Sequence, residues 1–159
     1  MAASWRREEV RLSERVKNIQ AAALTEHVND RGERRADLDL SGEHLGVRIV
    51  ELAPGASSSK HHFHSLEEEH VLVLRGTATL IVGSEEISVR EGDHFWFPAG
   101  KPEGHHLENR GADPFRFLVI GERAQGDVVV YPEHRVVLVK ALGGARFTYL
   151  ERGPEKPRA

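Results

Sequence analysis

From Gly46 onward the apolar positions either alternate or gather in short runs, and this rhythm dominates the chain. Gly46–Leu52 (GVRIVEL) alternates with the period of a strand that buries one face. Lys60–His64 reads as a further extended segment, and His70–Leu74 (HVLVL) is a run of β-branched and aliphatic residues. Thr77–Val82 (TATLIV) and Glu85–Val89 (EEISV), separated by Gly83-Ser84, predict a two-residue hairpin. His94–Phe97 (HFWF) is a dense aromatic strand stopped by Pro98. His105–Asn109 and Phe115–Ile120 (FRFLVI) continue the series, and Val128–Tyr131, Val136–Val139 and Phe147–Leu150 are expected as peripheral strands. Turn-forming stretches such as Ala53–Ser59 (APGASSS) punctuate them. Many short strands broken by turn signals predict an all-β sandwich or barrel.

The segments that flank this region lack its rhythm. Trp5–Asn18 is helix-permissive, but Val10, Leu12, Val16 and Ile19 form only a ragged stripe, which predicts a short helix or a loosely held arm. Asn29–Asp39 (NDRGERRADLD) is polar and predicts a surface connection, and the tail after Gly153 (GPEKPRA) predicts disorder. The expected division is residues 1–37 as an N-terminal arm, 38–140 as the barrel, and 141–159 as a C-terminal strand and tail.

Composition narrows the function classes. A chain of 159 residues, 39% hydrophobic and 30% charged, suits one soluble globular domain. A formal net charge of −3 offers no electrostatic footing for nucleic acid or an anionic membrane. The residues before Gly46 hold at most one helix, too little for a helix-turn-helix unit. No apolar run is long enough to span a bilayer, and Met1–Lys17 lacks the apolar stretch of a secretory signal, so the cytoplasm is the expected compartment. Cysteine is absent, which removes disulfides, thiolate ligands and a cysteine nucleophile.

Candidate chemistry is concentrated between Lys60 and Arg110. His62-Phe63-His64 is followed after four residues by Glu69, with Gly76 beyond; Glu67 and Glu68 stand beside Glu69 as rivals. A second block runs Gly92, Pro98-Ala99-Gly100, His105, Asn109. His62 and His64 are two apart and point the same way on a strand. Three imidazoles and one carboxylate from two strand regions can converge on one divalent metal, and such a mixed set suits Zn, Fe, Ni or Mn more than Ca or Mg. His105, Leu107 and Asn109 share one strand parity, which favours His105 over His106 as the ligand.

These blocks resemble the paired motifs of the cupin superfamily. The first motif is matched by Gly55, His62, His64, Glu69 and Gly76, with one extra residue before His62; the second is matched by Gly92, Pro98, Gly100, His105 and Asn109, with two extra residues before His105. Both insertions fall in turns, where added length costs little. Looser similarity through Tyr131-Pro132, including the run Gly104-His105-His106-Leu107, is to the small single-domain bacterial cupins, some of which are described as sugar-phosphate isomerases. The resemblance implies a cupin-type double-stranded β-helix, a jelly-roll barrel, with one divalent transition metal per chain held by His62, His64, Glu69 and His105 near the wide mouth. Six-residue spacing from Glu69 to Gly76 favours Glu69 over its neighbours.

Two functional readings follow. The first is a metal-dependent enzyme acting on a small polar metabolite by isomerase, lyase or dioxygenase chemistry, with Glu51, His94, His106 and Tyr131 as candidate proton-transfer groups. The alternative is a non-catalytic binding or sensor barrel in which the metal orients a ligand. In the first, Phe63, Leu72, Phe95 or Trp96, Phe97 and Phe117 are expected to line the cavity. His61 is expected to be exposed or beside a ligand, and His70 to face away from the metal. Exposed edge strands predict a homodimer.

Overall fold

The computed structural model describes residues 16–21, 23–28, 34–141 and 145–150. Thirteen strands follow in order: β1 (Thr25–Val28), β2 (Arg34–Asp39), β3 (Leu45–Leu52), β4 (Phe63–His64), β5 (Glu69–Arg75), β6 (Thr77–Val82), β7 (Glu85–Arg90), β8 (His94–Phe97), β9 (His105–Glu108), β10 (Phe115–Glu122), β11 (Val128–Tyr131), β12 (Val136–Lys140) and β13 (Arg146–Leu150). A 3-10 turn, Pro132–His134, joins β11 to β12. The chain is an all-β jelly roll.

The strands form a six-stranded sheet ordered β1-β2-β3-β10-β5-β8, a four-stranded sheet β13-β12-β11-β4 and a three-stranded sheet β7-β6-β9. Alternation along each strand selects the inner face. Val50 and Leu52 of β3, Val71 and Val73 of β5, Phe115 and Phe117 of β10 meet Ala78, Leu80, Val89 and Leu107 of the small sheet in one core, with Phe95 and Phe97 of β8 packed against it. At about 25 cal/mol per Å² of apolar surface removed from water, such side chains supply most of the driving force for closing the barrel. The aromatic strand is thereby resolved: Phe95 and Phe97 face inward, while His94 and Trp96 are exposed.

Two readings from the sequence need correction. Arg34–Asp39 is not a loop but strand β2, paired with β3 from Arg35↔Leu52 to Asp39↔Arg48, and β1 pairs outside it. Its polar character reflects its position near the sheet margin, where fewer side chains need burial. Leu72 lies on the outer face of β5, opposite in parity to Val71 and Val73, and is exposed rather than cavity-lining. Of the proposed N-terminal helix, residues 5–15 lie outside the described residues, and Val16–Asn18 are irregular. The tail expected to be disordered also lies outside them.

Gly76 shows how tightly one turn is built. It joins β5 to β6 at φ 84°, and a Cβ there would lie 3.0 Å from the carbonyl oxygen of Pro114. Left-handed backbone and close approach both require glycine.

Candidate metal centre

Backbone pairing creates the centre of the site. His62 and His105 face each other across an antiparallel bridge: His105 N–H donates to the His62 carbonyl at 2.8 Å, and His62 N–H to the His105 carbonyl at 3.4 Å. Opposed residues in such a pair project to one face, and the imidazole centroids are 4.8 Å apart. His64, two residues on, keeps the same parity and brings its ring to 5.2 Å from that of His62. Glu69 opens β5 between Phe97 of β8 and Gly121 of β10. Its Oε2 lies 3.3 Å from His105 Nε2.

His62, Glu69 and His105 can therefore each offer a ligand atom within 4.8 Å of the others. The tautomers suit this role. His62 Nδ1 donates to the Lys60 carbonyl at 2.8 Å, which leaves Nε2 with its lone pair. Burial, reinforced by neighbouring His105, pushes the His62 imidazolium down to about 4, so the ring is neutral at physiological pH. Burial works to raise the Glu69 carboxyl, but the hydrogen bond from His105 and the surrounding imidazoles outweigh it and hold the group below its ordinary value. Phe97 stacks flat on His105 with centroids 3.5 Å apart, which fixes that ring and shields it from water. A neutral His62, an ionised Glu69 and enforced ring orientation are what a divalent transition metal requires.

His64 belongs to an adjoining group. Its Nδ1 donates to Asp127 Oδ2 at 2.7 Å, and His64, Glu67 and Asp127 also offer atoms within 4.8 Å of one another. Lys140 Nζ pairs with Glu67 and lies 3.1 Å from Asp127 Oδ2, so its ammonium already supplies positive charge there. Asp127 is fully buried. Burial would raise its carboxyl, but His64, the Leu66 amide and Lys140 hold it down to about 2. An ionised Asp127 keeps the His64 proton on Nδ1 and turns Nε2 into the available nitrogen.

Comparison with known proteins supplies a family for this fold. The cupin-domain family model matches residues 48–121. A sugar phosphate isomerase of the cupin superfamily from Silicibacter pomeroyi is 32% identical, with a TM-score of 0.69, over 74% of this chain and 76% of that one. The chain belongs to the cupin superfamily. A putative sugar phosphate isomerase from Acidithiobacillus ferrooxidans matches over 88% of this cupin and 90% of its own length, at 27% identity and a TM-score of 0.74. A predicted oxalate decarboxylase from Thermotoga maritima, 21% identical with a TM-score of 0.59 over 69% of this chain and 99% of that one, shares the fold. No curated protein sequence matches the chain.

The cupin barrel disperses the other candidates. Glu51 is engaged by Arg116 at 2.7 Å and lines a separate cleft with Glu26 and Arg34. His106 turns to the opposite face, within hydrogen-bonding distance of His61 and Glu108. His61 is buried, not exposed, with its ring against Gly104. His70 bonds to Glu68 and His94 on the outer face. His94 also borders a cavity of about 260 Å³ shared with Glu69, His105, Phe63 and Phe95. Tyr131 stacks on His62 at 5.6 Å, and burial raises its phenol above the ordinary value.

Asp127, Lys140 and Arg48 were not singled out from the sequence. Asp127 reaches His64 because β11 pairs with β4 at Val129↔His64, a register no local pattern reveals. Arg48 had a readable signal: it shares the strand parity of Val50 and Leu52, so an arginine points toward the barrel interior.

Proposed function

We propose that this cupin is a metal-dependent enzyme acting on a small polar metabolite, with His62, Glu69, His105 and His64 as metal ligands and proton-transfer isomerisation as the favoured reaction. The observation that carries this reading is the convergence of His62, Glu69 and His105 on a point bordered by cavities of about 260 Å³ and 180 Å³. The two sugar phosphate isomerase-like relatives favour isomerase over lyase or dioxygenase chemistry. When bound, a divalent metal, Zn, Fe, Ni or Mn, supplies Lewis-acid polarisation of a substrate oxygen.

The protein's own groups do the rest. Lys60 and Asp127 fix the tautomers of His62 and His64. Phe97 keeps water from one face of His105. Tyr131 keeps its proton on Oη and is placed to give it up next to His62. His94, at the exposed rim of the cavity of about 260 Å³ with its Nε2 against His70, is the candidate acceptor.

The binding-module reading is supported by one observation: Glu51 and His106 are both committed to other partners, which leaves few bases. Product formation from a panel of phosphorylated and free sugars separates the two. Isomerisation by protein reconstituted with Fe, Mn, Ni or Zn, unchanged under nitrogen and lost in His64→Ala, is the expected result. Ligand binding without turnover at any metal loading would leave only the binding module.

A homodimer is part of the same reading. Edge strand β13 exposes Phe147, Tyr149 and Leu150, and an edge of this kind is suited to pairing with a second copy. Light scattering at micromolar concentration should give twice the chain mass.

A further inference from the structure

Arg48 is placed unlike the barrel's other interior-facing residues. It lies on β3 with the parity of Val50 and Leu52, both core residues. It borders the cavity of about 180 Å³ that holds His62, Glu69 and His105, and also a larger cavity of about 500 Å³ that holds His64, Glu67 and Glu69. Glu69 is common to both. A half-buried guanidinium so placed is costly unless something answers its charge.

Among the described residues no carboxylate forms a salt bridge with it, although Asp39 stands across the strand pair. Asp39, its cross-strand partner, feels the charge of Arg48 and of Arg123, but that carboxylate is exposed and accepts the Ser41 amide at 2.9 Å. The rest of the larger cavity repeats the imbalance. Its cationic side chains are Arg48, Arg123, Lys140 and Arg146, and its carboxylates are Glu67, Glu69 and Glu122. Lys140 is committed to Glu67 and Asp127. Glu122 accepts the Glu68 amide at 3.1 Å, and Glu69 belongs to the His62–His105 cluster. Arg123 gives one N–H to the Gly42 carbonyl at 3.0 Å and forms no salt bridge among the described residues; the exposed Asp39 is the carboxylate that feels its charge. Arg146, on exposed β13, has none either.

Three arginines without a salt bridge among the described residues thus border a space large enough for a small metabolite, which shares Arg48 and Glu69 with the cavity lined by His62 and His105. Arginine presents planar paired donors that match carboxylate and phosphate oxygens. We propose that this cavity is an anion-binding subsite in which Arg48, helped by Arg123 and Arg146, holds a dianionic oxyanion group of the substrate, a phosphate monoester or a paired carboxylate, while the remainder of the molecule reaches the metal cluster. The position of the reacting end rests on the proposed metal-centred function; the anion site itself does not.

The test titrates inorganic phosphate, and in parallel malonate, into the full-length metal-loaded protein by calorimetry, with metal content measured on each sample. Wild type should bind at least one of the two saturably, and the tighter one identifies the oxyanion class. Arg48→Gln should weaken that binding by at least about tenfold, the loss expected for a charge-assisted contact, with metal per chain unchanged. Arg146→Gln, on an exposed strand where folding is not at risk, should weaken it by about threefold. Wild-type affinity in Arg48→Gln, or no saturable binding of either anion to wild type, would overturn the subsite. Arg48-dependent binding in a protein that holds no metal would uphold the subsite and remove the metal-centred function. Metal binding without Arg48-dependent anion binding would do the reverse.

Discussion

Two histidine–carboxylate clusters are built back to back from the same pair of chain segments. His62, His105 and Glu69 face one way; His61, His106 and Glu108 face the other. A one-residue change of parity separates them. In the second cluster, His61 Nδ1 and His106 Nδ1 are 3.1 Å apart, and His106 Nε2 lies 3.1 Å from Glu108. Glu108 is bound by Arg110 at 2.7 Å, and Arg110 is clamped through two bonds of 2.8 Å by Glu86. That cluster is a chain of groups that satisfy one another. In the first cluster the Nδ1 of His62 is tied to a carbonyl, as that of adjoining His64 is to a carboxylate, so their Nε2 atoms stay available. Equal histidine content gives one self-contained network and one cluster able to take a cation. What differs is where the other ring nitrogen is bonded.

The sharpest way to break this contrast is to delete one histidine from each side. His105→Ala should abolish metal binding, while His106→Ala should retain most of it. Metal analysis of protein purified without a histidine tag reads the outcome, and equal loss in both variants would erase the distinction. A smaller effect is expected one layer out. Asp127→Asn removes the charge that holds the His64 tautomer and should lower metal affinity by about 10–100-fold without abolishing it. Competition against a chelator of known affinity measures that change, and an unaltered affinity would reduce Asp127 to a purely structural anchor.

Much of this contrast was legible in the sequence, for a physical reason. Strand parity is local, so the alternation His105, Leu107, Asn109 separates His105 from His106 before any tertiary contact is known. The same alternation could have exposed Arg48. Long-range register is not local. Nothing near Asp127 announces that β11 will lie beside β4 and deliver a buried carboxylate to His64. Polar β2 was read as a loop because a marginal strand need not show the apolar period of a central one. Glu51 looked available because its cross-strand partner Arg116 lies far away in sequence.

The opposite face can be probed by packing. A Cβ at Gly104 would overlap the His61 imidazole, which is itself buried. Gly104→Ala must displace that ring and its contact with His106, and should cost about 1–3 kcal/mol of stability, the range for overpacked interiors. Chemical denaturation measures it. Metal content should stay close to wild type, because His105 and His62 are held by their own backbone bridge. A collapse of metal binding in Gly104→Ala would show that the two clusters are mechanically one.

The smallest expected effect is on acid stability of the metal-free protein. Burial and neighbouring His105 lower the His62 imidazole from 6.5 to about 4. As pH falls through 6.5, the unfolded chain takes up a proton at His62 that the folded chain refuses until about pH 4. The unfolded state then binds more protons, so stability declines with falling pH inside that window and is unaffected by this group above it. The slope is at most about 1.4 kcal/mol per pH unit. Asp127 cannot mimic it, because a carboxyl lowered from 3.8 to about 2 sheds its contribution only below that range. Thermal unfolding of chelator-treated wild type and His62→Gln at pH 7.5, 6, 5 and 4.5 separates the terms; His62→Gln should flatten the curve between pH 6 and 4.5, the interval bounded by the shift of His62 from 6.5 to about 4. Burial and His106 lower the His61 imidazole as well, so His61→Gln should flatten the curve in part; a larger flattening in His61→Gln than in His62→Gln would move the main acid-sensitive imidazole to the self-contained cluster and reverse the electrostatic difference between the two faces.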